Sequence, residues 1–139
     1  MQLSKCKGNV INHIFSIIAL SESWIKDSNK DLQNLENYNS EHVFRSNRAG
    51  GGVSLFIRNN LDYFIREDLN LNNRNIESLF IELPKDSINK SQDAIVGVLY
   101  RPPNTDIRIF NEHFDSILLK ARAERKLLYL LGDYNIDLL

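Results

Sequence analysis

Apolar positions along the chain fall into short runs divided by polar turns, and the period of each run points to its element. Ile17, Ile18, Ala19 and Leu20 are apolar without interruption and rich in β-branched residues, as a strand covered on both faces would be. That run stops at "SESW". Residues 28–39 are polar, with Leu32 and Leu35 three apart, and read as a short surface helix or turn. From residue 42 to 65 the pattern is "HVFRS", "NRAGG", "GVSLFIR", Asn59 and Asn60, then "LDYFI", which predicts an antiparallel meander. Val53, Leu55 and Ile57 give it one apolar face, and Ser54, Phe56 and Arg58 a mixed one. "SLFIEL" at 78–83 predicts another strand, which Pro84 ends, and residues 85–93 read as a loop.

The last third reads as strand, helix, strand. "AIVGVLY" at 94–100 is closed by "RPPN", whose prolines fit neither a helix interior nor a central ladder. Ile107, Phe110, Phe114, Ile117, Leu118 and Ala121 then recur every three or four residues, with Thr105 or Asp106 able to cap the start. Lys120, Arg122, Arg125 and Lys126 crowd the end of this helix, where cations complement its dipole. "LLYLL" at 127–131 predicts a buried strand running into "GDYNID".

Composition narrows the class. A chain of 139 residues that is 42% apolar and 25% charged predicts a single domain over 1–139 with a real core, and the strands and helix read above make its class α/β. Seventeen basic against 18 acidic residues leave a net charge of −1, so any polyanion site must be a local patch. The lone Cys6 offers neither a disulfide nor a zinc cluster, which makes an intracellular, nuclear or cytoplasmic, unsecreted protein the default. Lys5 and Lys7 before residues 10–20 superficially mimic a secretion signal. Asn12, His13 and Ser16 interrupt that stretch, and it is too short for the ~20 residues of a membrane span, so no membrane association is expected.

Candidate chemistry collects where apolar strands end, because loops there are free while strands fix them. Glu22 follows one strand; its spacing alone favours a solvated turn, and its functional reading is a magnesium ligand. Asp133 follows Gly132 and could orient or deprotonate a water, while Asn135 could donate its amide to oxygens gaining charge; both are also common turn formers. Tyr100 could present its phenol to phosphate or a leaving oxygen, or pack on Pro102 or Pro103, and Arg101 offers a fork of donors for phosphate. Trp24 reads as a packing anchor ahead of a base-stacking surface. Arg45, Arg48, Arg58 and Arg66 outnumber Glu41 and Asp62, which makes a phosphate-contacting stripe containing Arg48 a candidate beside ordinary solvation. "AGGG" lacks the residues of a phosphate loop and reads as a hairpin turn. None of His13, His42 and His113 reads as a catalytic base.

In order, "IIALSESW", "RAGGGVSLFIR", "ESLFIEL", "VGVLYRPPN", "FNEHFDSIL" and "LLGDYNIDLL" resemble the endonuclease/exonuclease/phosphatase family, and within it the apurinic-like endonuclease domain of non-long-terminal-repeat retrotransposons. The resemblance covers nearly the whole chain from Ile17. It implies a deoxyribonuclease-I-like four-layer α/β/β/α sandwich, Mg2+- or Mn2+-dependent cleavage of DNA phosphodiesters, and a reverse transcriptase domain as neighbour. Glu22 matches the family's metal-ligand glutamate, Tyr100 the tyrosine of its "Y.PP" motif, and Asp133 and Asn135 its "GDFN" pair, with Tyr134 in place of Phe.

The departures carry expectations too. The resemblance implies an early strand with an active-site Asn, for which Asn9 and Asn12 lie in the wrong setting. It also implies a later Ser/Thr-bearing strand and an Asp-His pair that follow no residue of this sequence. The expectation is therefore a partial sandwich lacking the C-terminal part of its second sheet, with very little activity on its own. A phosphatase acting on phospholipid or inositol phosphate, and a non-catalytic scaffold, are the alternatives.

Overall fold

The computed structural model describes residues 15–26, 28–29, 34–45 and 50–136. Two sheets and one long helix carry the fold. The strands are β1 (Ile17–Ser21), β2 (Tyr38–Val43), β3 (Val53–Arg58), β4 (Phe64–Ile65), β5 (Glu77–Leu83), β6 (Ala94–Tyr100) and β7 (Leu127–Asp133); the helices are α1 (Lys85–Ile88) and α2 (Ile107–Ala123). The first sheet has the order β1-β3-β2, antiparallel throughout. The second has the order β4-β5-β6-β7, in which β6 and β7 are parallel and α2 makes the crossover between them.

Period-two alternation sorts the side chains into two cores. Val53, Leu55 and Ile57 of β3 meet Leu79, Ile81 and Leu83 of β5 and Val96, Val98 and Tyr100 of β6 between the sheets. On the other face of the second sheet, Phe80, Ile95 and Leu99 pack against Phe110, Ile117 and Ala121 of α2. Gly97 sits opposite Phe80, whose ring occupies the space a β-carbon would need. The Asp106 side chain caps α2 by accepting from the Arg108 amide at 2.9 Å. The mixed α/β fold with two packed sheets agrees with the pattern in the sequence. Among the described residues three of the four expected layers are present: two sheets and the α2 layer.

Several elements differ from the sequence reading. β2 starts at Tyr38 and ends at Val43, because its whole length pairs with β3 from Arg58 to Val53, a register that its polar composition conceals. Of the expected strand at 61–65 only Phe64 and Ile65 remain, and these pair with β5 in the other sheet. The expected meander is thus broken after β3, where Leu61 and Tyr63 pack into the inter-sheet core as the chain crosses over. Residues 85–93 hold the single turn of α1. β7 is an edge strand: Leu128 and Leu130 join the core under α2, while Tyr129 and Leu131 are 50% and 43% exposed. Of the segment at 28–39, Leu32 lies outside the described residues, and residues 36–37 form a turn into β2.

Arg66 points inward. Its guanidinium donates to Glu82 at 2.5 Å, Asp68 at 2.8 Å and Glu124 at 2.7 Å, and Lys126 bonds Glu82 at 2.7 Å, so an ion network ties β5 to the end of α2. No helix among the described residues is long and apolar enough to cross a membrane.

Candidate functional site

One row of residues crosses the end of the second sheet. Glu77 opens β5, Tyr100 closes β6 and Asp133 closes β7, and in the strand register Tyr100 is paired with both of the others. Directly opposed residues share a face, so the three belong to the face turned toward the first sheet. Glu22 arrives from that first sheet, one residue past β1. The Tyr100 hydroxyl donates to Glu22 Oε1, which brings together residues 78 positions apart.

The Glu22 loop is fixed by a glycine turn. Gly50, Gly51 and Gly52 all have positive φ, at 81°, 76° and 85°, a conformation that glycine adopts without strain. The Ser23 amide donates to the Gly52 carbonyl at 3.1 Å, and the Trp24 amide to that of Gly51 at 3.0 Å. Glu77 anchors the same turn, accepting from the Gly52 amide at 2.6 Å and from the Arg45 guanidinium. Only 5% exposed, Glu77 would be costly without those donors. Glu22 and Trp24 themselves have positive φ, at 49° and 55°. Apart from four asparagines, only Arg125 shares that conformation among described non-glycine residues. Such strain concentrates where surrounding structure holds a residue in a functional geometry.

Tyr100 is held neutral. Burial, the bond to Glu22 and the Glu22 charge push its phenol up to about 12, Glu77 adding to the effect and Arg45 opposing it. At neutral pH it is therefore a proton-bearing donor, unsuited to act as a base.

The turn after β7 presents the remaining candidates. Gly132 has φ 144°, and a β-carbon there would run into the Leu99 carbonyl. Asp133 Oδ1 accepts from the Asn135 amide at 2.9 Å, and Asn135 (φ 45°) donates its side-chain amide to the Arg101 carbonyl at 2.7 Å. Arg101 closes the turn from the other side. Its backbone amide donates to Asp133 O at 2.9 Å, its Nη1 to the carbonyls of Asn135 at 2.7 Å and Tyr134 at 3.1 Å, and its Nη2 to Thr105 O at 2.8 Å. At 8% exposure, this guanidinium faces protein carbonyls where the sequence suggested a fork for phosphate. Tyr134 locks the turn down by packing on Phe110 and Phe114.

The structure thus brings Glu22, Tyr100, Asp133 and Asn135 to one end of the sandwich, with Arg101 beneath the last two. Arg48 lies outside the described residues. His42 bonds Ser54 within the first sheet and His113 lies on α2, so neither joins the cluster. Glu77 is an addition that the sequence reading did not assign, and Arg45, read there as part of a phosphate-contacting stripe, faces Glu77 instead. The signal for Glu77 was present: it shares the alternation of Leu79, Ile81 and Leu83, and an acid on a buried face demands a partner.

Among the described residues no three His, Cys, Asp or Glu side chains converge into a ready-made metal cage. The donor set fits a different kind of site. A hard divalent cation that keeps several waters needs one or two carboxylates beside substrate oxygens, and Glu22 and Asp133, both exposed and flanking Tyr100, supply two.

A family model described as "Endonuclease/Exonuclease/phosphatase family" matches residues 5–138. Among solved structures the chain is similar to the human Nocturnin catalytic domain with bound sulfate anion, at 14% identity and a TM-score of 0.52. That similarity covers 88% of this chain and 52% of the other, so the chain spans about half the length of that structure. A search of curated proteins finds no match.

Proposed function

The chain belongs to the endonuclease/exonuclease/phosphatase family, and from that premise we propose that Glu22, Tyr100, Asp133 and Asn135 form the core of a divalent-cation-dependent phosphodiesterase site for DNA, of the retrotransposon endonuclease type. The observation that carries the reading is the bond between Tyr100 and Glu22, because it joins the two sheets at the end where Asp133 also lies. "YRPPN" and "GDYNIDLL" support the retroelement type over a phosphatase, with a reverse transcriptase domain as the expected neighbour.

Each residue has a role its surroundings permit. Glu22 and Asp133 would hold Mg2+ or Mn2+, which when bound stabilises charge on phosphate oxygens and acidifies a coordinated water. Tyr100 fixes the Glu22 carboxylate and, being neutral, can donate but not remove a proton. Asp133 is exposed and can orient or deprotonate an attacking water. Asn135 uses one side-chain hydrogen on Arg101 O and keeps a second for an oxygen that gains charge. Arg101 positions this turn from beneath.

The test is nicking of supercoiled plasmid with Mg2+, using Glu22→Gln and Asp133→Asn as controls. The expected result is nicking that requires the cation and vanishes in both variants. Nicking that survives both substitutions, or phosphate release from inositol phosphates without DNA cleavage, would overturn the proposal.

A further inference from the structure

Trp24 is the one tryptophan of the chain and is 61% exposed, two residues beyond Glu22. Large aromatic rings ordinarily bury most of their surface, so an uncovered one beside a cluster of polar groups needs a reason. The residue is also held in place. Its φ of 55° is an outlier conformation for a bulky side chain, and its amide is bonded to the Gly51 carbonyl at 3.0 Å. The ring rests on Gly50 so closely that a β-carbon there would lie 2.9 Å from Trp24 Cζ2. The glycine turn beneath is anchored in turn by Glu77. The indole is therefore braced on one side by backbone, while most of its surface meets solvent.

Among the described residues, Arg45 faces Glu77 and Arg101 faces carbonyls, so neither guanidinium is directed at a polyanion. With a net charge of −1, the chain has little long-range attraction for a phosphate backbone. An exposed, immobilised aromatic face can supply the missing hold, because stacking acts on any base.

We propose that Trp24 is a stacking platform for an unpaired nucleobase adjoining the phosphodiester at the Glu22 cluster. This rests on the functional reading above and deepens it: the substrate is a polynucleotide with an unstacked base at the site, and a bare phosphate ester would leave the indole unused.

Because Trp24 is the single tryptophan, its fluorescence reports this contact alone. The full chain in EDTA is titrated with oligothymidylate and with an abasic deoxyribose-phosphate oligomer of equal length. The expected result is saturable quenching by the first and none by the second. Trp24→Ala should lower affinity for a labelled oligothymidylate about tenfold, Trp24→Phe should retain most of it, and neither should shift the melting temperature. Equal quenching by the abasic oligomer, no quenching by oligothymidylate, or wild-type affinity in Trp24→Ala would each overturn the proposal, as would quenching by phosphoinositide vesicles alone. The chemistry is scored separately by Glu22→Gln, which should abolish nicking and leave base-dependent quenching intact. A wild-type chain that is quenched by bases yet nicks no DNA would refute the phosphodiesterase reading and support the platform.

Discussion

Tyr100 donates its phenolic hydrogen to Glu22 across the gap between the two sheets, and in the strand register the same tyrosine lies beside Asp133. A single side chain therefore fixes where one carboxylate points and marks the position of the other.

Replacing Tyr100 by Phe removes that bond without changing the size of the ring. Divalent-cation affinity should fall about ten- to a hundredfold, as when a group that orients a metal ligand is lost. Isothermal titration with Mn2+ measures it, and unchanged affinity would show that Tyr100 does not position Glu22.

The raised Tyr100 pKa also gives a sign for alkaline stability. Its ordinary value is 10.0 and its value in the fold is about 12, so the folded state holds the proton more tightly. That stabilisation is complete below pH 10 and is lost as pH rises through 12. Wild-type denaturation midpoints should drop across this window, and those of Tyr100→Phe should drop less.

Acid stability should be governed by the network around Arg66. Arg66 and then Lys126 hold the Glu124 carboxyl down to about 2 from an ordinary 4.5, and Arg66 and Lys120 hold Asp68 well below the usual carboxylate range. A depressed carboxylate contributes its stability above its unfolded pKa and loses it as pH falls through the folded value. The wild-type chain should therefore weaken between pH 4.5 and 2, and Glu124→Gln should show lower stability at neutral pH with a flatter acid limb.

Arg101 and Gly132 should prove sensitive for different reasons. Arg101→Lys replaces a guanidinium that reaches three carbonyls with one ammonium; the expected loss is about 2 kcal/mol in urea denaturation, with faster amide exchange confined to the 133–136 turn. Gly132→Ala meets both the Leu99 carbonyl and an unfavourable φ, and should cost at least about 2 kcal/mol by the same measurement.

Strands β1, β3, β5 and β6 and helix α2 were legible because their apolar periods match a buried face. β2 was less so: its sequence is Tyr-Asn-Ser-Glu-His-Val, and only pairing with β3 makes it a strand. The crossing of residues 59–63 from one sheet to the other leaves no periodic trace, so the meander pattern continued falsely into β4. At the site, Glu22, Tyr100, Asp133 and Asn135 stood out as polar residues at strand ends. The direction in which an arginine points was not legible. Arg45, Arg66 and Arg101 look like surface cations in sequence, and each is turned toward internal acceptors that only the tertiary fold supplies.

The most direct test of the account is paramagnetic broadening of the amide spectrum by substoichiometric Mn2+. Broadening centred together on residues 22–23, 100–101 and 132–135, and abolished in Glu22→Gln, is the predicted result. Broadening centred elsewhere, or undiminished in that variant, would contradict a shared cation site at Glu22 and Asp133.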